Sequence, residues 1–158
     1  MAFIATGDED EAVDIVQDAM IKLSTKYAAK NETDWPPLFQ TILQSRIKDW
    51  YRRHKVKSGV MRLFGIGEAE QEHGADAFAG YQHEQPDQRL QQIQSMTKLD
   101  TALRELPLRQ QQVFLLREME GLDVKQAAAV LGISAGSIKT HYSRAVHTLR
   151  EQLEGHWP

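Results

Sequence analysis

The stretch Asp123 to Arg144, DVKQAAAVLGISAGSIKTHYSR, decides the fold of this chain. Asp123 with Gln126 three positions later has capping-box spacing: the carboxylate accepts from an orphan backbone donor of a new helix, and the Gln side chain reaches back. Val124, Ala127, Ala128 and Leu131 give that short helix a face of small residues, over which another helix can cross closely. Gly132 then stands where a tight turn needs positive φ, Ile133 is an apolar plug, and Ser134 is the next N-cap. The following helix turns Ile138, Tyr142, Ala145, Leu149 and Leu153 inward at spacings of three or four. Its other face carries Ser137, Lys139, Thr140, Ser143, Arg144 and Thr148, with no acidic residue from Ser137 to Arg150. Helix, glycine turn and basic second helix make the helix-turn-helix pattern, whose second helix enters the major groove of duplex DNA. Lys139 and Arg144 suit guanine acceptors or phosphates, and Thr140 and Ser143 suit either. A plain hairpin with a solvated basic face would account for the cations. It leaves unexplained the agreement of capping box, alanine face, Gly132 and Ser134.

Outward from this motif the periodicity is helical wherever periodicity exists, and the predicted fold class is all-α. Met96, Leu99, Leu103 and Leu106 mark a helix ended by Pro107, and Val113, Leu116 and Met119 mark another that Gly121 caps. Toward the N-terminus, Ala12, Ile15, Val16, Ala19, Leu23 and Tyr27 share one face, opposite Asp14, Gln17, Asp18 and Lys22. Pro36 and Pro37 permit a new start, after which Phe39, Ile42, Leu43, Ile47, Trp50 and Tyr51 form a further stripe. Trp50 and Tyr51 continue that stripe and so read as core rather than as stacking platforms.

The formal net charge of −3 and the pI near 6.1 would, taken whole, argue against a nucleic-acid binder. Charge is segregated, however. Asp8, Glu9, Asp10, Glu11, Asp14 and Asp18 precede the first cation, Lys22, whereas Arg46, Lys48, Arg52, Arg53, Lys55 and Lys57 face only Asp49 and enclose Trp50 and Tyr51. A basic stripe with interleaved aromatics points to nucleic acid. Residues 65–90 turn acidic again amid glycines and glutamines, as a flexible tether would. In 158 residues this predicts two small helical modules, 1–57 and 95–158, joined by an acidic linker over 58–94.

The residues from Leu106 to Gly121, LPLRQQQVFLLREMEG, continued by Asp123 to Arg144 and ending in GISAGSIKTHYSRAVHTLRE, closely resemble region four of bacterial RNA polymerase sigma factors of the extracytoplasmic-function group. Independently, GDEDEAVDIVQDAMIKL from Gly7 to Leu23 resembles region 2.2 of that family, and LFQTILQSRIKDWYRRHK from Leu38 to Lys55 resembles regions 2.3 and 2.4. The resemblance implies a promoter-specificity subunit of RNA polymerase. Asp14, Gln17 and Asp18 match the family's contact to the β′ coiled-coil, and the β flap is the other implied polymerase contact. The loop from Ala28 to Trp35 matches the loop that captures a flipped base of the minus-ten element. Ser45, Lys48, Arg52 and Arg53 match the helix that reads that element, with Ser45 where the family usually has asparagine. Lys139, Thr140, Ser143 and Arg144, with Ser137 beside them, match contacts to the minus-thirty-five element. An anti-sigma factor is a further implied partner. Relatives carry two more helices before the Gly7-Asp8 pair, so region two is expected to be incomplete here, with little for its two helices to bury against.

Other classes fare worse. The absence of cysteine removes disulfide scaffolds, thiolate zinc sites and a cysteine nucleophile, and suits the reducing cytoplasm. The six histidines form no i, i+4 pair and the acids of Asp8–Asp18 are consecutive rather than convergent, so neither catalysis, a metal nor a cofactor is signalled. No apolar run approaches the length of a membrane span. The strongest rival is a helix-turn-helix regulator of response-regulator output type, binding duplex DNA without acting as a polymerase subunit.

Overall fold

The computed structural model describes the backbone of residues 1–63 and 86–153, and the side chains of 1–55 and 95–153. The described residues are all helical, as predicted, with α1 (Ala2–Thr6), α2 (Glu9–Lys26), α3 (Trp35–Leu63), α4 (Pro86–Glu105), α5 (Leu108–Glu118), α6 (Val124–Leu131) and α7 (Ala135–Gln152). Helices α3 and α4 reach into the stretch 58–94 read as linker; residues 64–85, which hold most of its acidic groups, lie outside the described residues. No described helix is long and apolar enough to cross a membrane.

In the N-terminal module, Gly7 adopts φ 74° and ends α1, and the Asp8 side chain accepts from Glu11 N at 2.9 Å to start α2. Three acidic residues in that first turn, Glu9, Asp10 and Glu11, complement the helix dipole. The apolar stripe of α2, Ala12, Ile15, Ala19 and Leu23, meets Ile42, Leu43, Ile47 and Trp50 of α3, and Ala2 of α1 closes the end. The Trp50 indole N–H, which burial would otherwise orphan, donates to Glu11 Oε2 at 2.9 Å. Helix α1 was not legible in the sequence: five residues are too few to show a period.

Four positions depart from the stripes read in the sequence. Val16 is 37 % exposed and Tyr51 is 40 % exposed. A stripe of three-and-four spacings spans a wide arc, and a single partner helix covers only its middle. Met96 and Met119 are likewise exposed, at 55 % and 62 %.

The second module is built on α5 and α7. Val113 and Leu116 of α5 and Ile138 of α7 are fully buried beside Ala127, Val130 and Leu131 of α6, and Leu149 is buried against α4. Each such aliphatic side chain contributes about 1.5–3 kcal/mol by burial. Gln111 Nε2 donates to Leu103 O at 2.9 Å, which fastens α5 to the end of α4. Gln152 Nε2 donates to Glu105 Oε2 at 2.8 Å and fastens the end of α7 to the same place.

The two modules meet. Leu108 of α5 packs on the N-terminal cluster, while Met1 and Ile4 pack on the second module's clusters. Gln112 Nε2 donates to Gln44 O at 3.4 Å, Gln44 Nε2 lies 3.5 Å from Met1 Sδ, and the Arg104 guanidinium sits 4.5 Å over the Phe3 ring. The expectation that α2 and α3 would find little to bury against is therefore corrected: α1 and the second module supply that surface.

Candidate nucleic-acid and partner interfaces

The sequence from Asp123 to Ser137 folds locally as its residues require. Asp123 Oδ1 accepts from Gln126 N and Gln126 Oε1 accepts from Asp123 N, both at 2.8 Å. Gly132 takes φ 63°, and Ser134 Oγ accepts from Ser137 N at 3.1 Å to start α7. These caps fix where α7 begins and hence which of its residues face outward. Lys139, Thr140, Ser143 and Arg144 are exposed, and neither Lys139 nor Arg144 forms an ion pair among the described residues. Thr140 and Ser137 are less available. The Thr140 hydroxyl donates to Gly136 O at 3.0 Å and can only accept from a ligand, and Ser137 Oγ is shared with Ser134 Oγ at 2.9 Å.

Behind this face Tyr142 braces α7 against α5. Its hydroxyl donates to Glu118 Oε1 at 2.7 Å, its ring stacks on Phe114 at 6.3 Å, and the Arg117 guanidinium lies 5.7 Å from its centroid. The bond to Glu118, with some burial, raises the Tyr142 pKa above its ordinary value. Arg117 in turn donates to Leu122 O at 2.6 Å and holds the turn before α6.

On α3, Ser45, Lys48, Arg52 and Arg53 are all exposed. Arg52 and Arg53 both lean on Asp49, through Asp49 Oδ1 at 3.4 Å and Asp49 O at 3.4 Å, which leaves Lys48 the least restrained of the three cations. Trp50 is core, as its place in the stripe predicts, and stacks on His54 at 4.0 Å; Tyr51 instead emerges beside Lys48 and Arg52. In the loop from Ala28 to Trp35, a short 3-10 turn spans Glu32–Asp34, and Asn31, Thr33 and Asp34 are exposed.

On α2, Asp14, Gln17 and Asp18 are exposed, and Asp18 lies 3.9 Å from Arg46 of α3. The surrounding surface was not anticipated. Val13, Met20 and Ile21 are 47 %, 55 % and 61 % exposed, and helical spacing puts Gln17 between them. The signal was present as an excess of apolar residues in α2, more than one buried face can use.

Comparison with known proteins agrees with this layout. The family described as Sigma-70, region 4 matches residues 96–149. The ferric citrate uptake sigma factor FecI of Escherichia coli is 26 % identical over 145 residues, 91 % of this chain and 78 % of that protein. The ECF RNA polymerase sigma factor SigX of Bacillus subtilis is 22 % identical over 156 residues, 96 % of this chain and 75 % of that one. The sigma factor RpoE of Bartonella quintana, solved in complex with the anti-sigma factor NepR, is 26 % identical with a TM-score of 0.66, covering 97 % of this chain and 87 % of that one. The region-four match coincides with the capped helix pair and its cationic face, and the relatives extend through the acidic and basic helices of the N-terminal module. Residues 96–149 thus match the sigma-70 region 4 family, and over most of its length the chain is similar to RNA polymerase sigma factors, among them members of the extracytoplasmic-function group.

Proposed function

We propose that this chain is a promoter-specificity subunit that works without catalysis in the bacterial cytoplasm, dividing its labour between residues 1–57 and 95–158 with 58–94 as tether. Arg144 and Lys139, aided by Ser143, Thr140 and Ser137, hold the minus-thirty-five element; Ser45, Lys48, Arg52 and Arg53 hold the minus-ten element. Asp14, Gln17 and Asp18 hold the β′ coiled-coil of core polymerase, and the second module engages the β flap. Long exposed cations on a rigid, capped helix suit base edges and phosphates, because the cap sets their register. The α2 face suits a protein partner: carboxylates pair with cations, while Val13, Met20 and Ile21 give the apolar centre that a stable contact needs. An anti-sigma factor is a third partner class, given that RpoE was solved with one.

The observation that carries this reading is the coexistence in one chain of two faces with opposite demands, a cationic one on α7 and an acidic and apolar one on α2. A regulator that binds duplex DNA alone needs only the first. The test is run-off transcription with purified core polymerase. The chain is expected to co-purify with core enzyme and to direct initiation at a specific start, and a shift of duplex DNA without either would favour the regulator.

A further inference from the structure

Three of the four methionines whose side chains are described lie mostly in solvent: Met20 is 55 % exposed, Met96 55 % and Met119 62 %. Met96 and Met119 stand singly among polar neighbours in the chain, Ser95 and Thr97 or Glu118 and Glu120. Met20 does not. Helix α2 gives Ala12, Ile15, Ala19 and Leu23 to the core, and Met20 belongs to another side, four residues after the exposed Val16, seven after Val13 and next to Ile21. Its thioether therefore stands in the apolar part of the face that carries Asp14, Gln17 and Asp18, outside every core cluster of the described residues.

The chain has no cysteine, so no thiol of its own intercepts an oxidant, and exposed thioethers are its most readily oxidised sulfurs. Oxidation turns a flexible apolar side chain into a polar, chiral one. The fold tolerates this at Met20, which fills no core gap. A partner seated on the face does not, because a sulfoxide oxygen buried without a donor is costly. Val13, Val16 and Ile21 offer no donor, Asp14 and Asp18 only accept, and the Ser24 hydroxyl one turn on already donates to Ile21 O at 3.0 Å. Among these neighbours only the Gln17 amide is left, and it is itself read as a partner contact. We propose that Met20 is an oxidative modification site that sets the affinity of the chain for polymerase. A peroxide delivers one oxygen to Met20 Sδ: the O–O bond breaks, an S–O bond forms, sulfur gives up two electrons and water leaves. A sulfoxide reductase working on a dithiol returns the thioether, with a disulfide and water as the other products. The consequence for binding rests on the reading of α2 as the polymerase contact, whereas the reactivity rests on exposure.

The test treats the full-length chain with graded hydrogen peroxide, locates sulfoxides by peptide mass spectrometry and reads affinity for core polymerase by fluorescence anisotropy. Met20 should convert along with Met96 and Met119 and ahead of Met1, which packs on the second module's clusters. Affinity should fall about tenfold, as for a polar group buried unpaired, with helical circular dichroism unchanged, and should return after methionine sulfoxide reductase and dithiothreitol. Core polymerase bound beforehand should slow conversion of Met20. Met20→Leu, compared with its own untreated affinity, should lose the response to peroxide, and the double variant Met96→Leu with Met119→Leu should keep it. Met20 staying reduced at doses that convert Met119 overturns the site. Met20 fully converted with affinity unchanged, or a double variant that no longer responds, overturns its effect on binding. Failure of the untreated chain to bind core polymerase overturns the polymerase-contact reading, and the mass spectra of the free chain still decide whether Met20 is the modified position.

Discussion

At the scale of single residues, Arg144 and Tyr142 separate contact from support. Arg144 is exposed on the outer face of α7 and braces nothing, so Arg144→Glu should weaken the upstream element about 10–100-fold, the equivalent of roughly 1–3 kcal/mol for a lost base or phosphate contact. Affinity for core polymerase, measured on the same protein, should be unchanged; an equal loss there would show that α7 was misassigned. Tyr142 sits behind that face. Its pKa is raised, so the bond to Glu118 adds stability in full below the ordinary tyrosine value and loses it as pH rises through the raised one. Tyr142→Phe should lower the urea midpoint by an amount worth about 0.5–1.5 kcal/mol at neutral pH and abolish the late-titrating phenol seen by ultraviolet absorbance. Ser45, with its short side chain in a row of cations, contrasts with both: its neighbours Lys48 and Arg52 reach further.

At the scale of elements, the short helix α6 depends on its caps. Eight residues are too few to be helical alone, and the reciprocal Asp123–Gln126 pair satisfies two backbone donors at its start. Asp123→Ala should cost about 1 kcal/mol of module stability in chemical denaturation and slacken the seating of α7, whose N-terminal turn follows directly. Helix α2 makes the complementary case. Its outer face does not support the fold, so Ile21→Glu should change thermal stability by no more than about 0.5 kcal/mol. Affinity for core polymerase, read by co-purification or fluorescence anisotropy, should fall by roughly tenfold or more, because charge is introduced at the apolar centre of an interface. Retained affinity would assign that face to some other partner.

At the scale of the whole molecule, the net charge of −3 is an average over opposed surfaces. Promoter affinity should therefore fall steeply with salt, like that of a basic protein, and Lys139→Ala should reduce the slope of log affinity against log salt by about 1 if Lys139 meets a phosphate. A salt-independent affinity would exclude the cationic faces from DNA. Where the two signs adjoin, on α2 and α3, they pair: Asp18 lies 3.9 Å from Arg46.

The helical class, the capped turn at Gly132 and the identity of the cationic and acidic faces were determined by the sequence, because caps, turn glycines and helical periodicity act over four or five residues. So were most of the buried positions, among them Ile15, Leu23, Ile47, Leu116, Ile138 and Leu149. The edges of each stripe were not. Val16, Tyr51 and Met119 fit a helical face as well as their buried neighbours do, and only the width of the packing partner excludes them. The apolar patch of α2, the brace from Tyr142 to Glu118 and the seam between Gln44 and Gln112 join residues distant in the chain or depend on what is left uncovered. No local pattern encodes such pairs, and they were decided only when the helices packed.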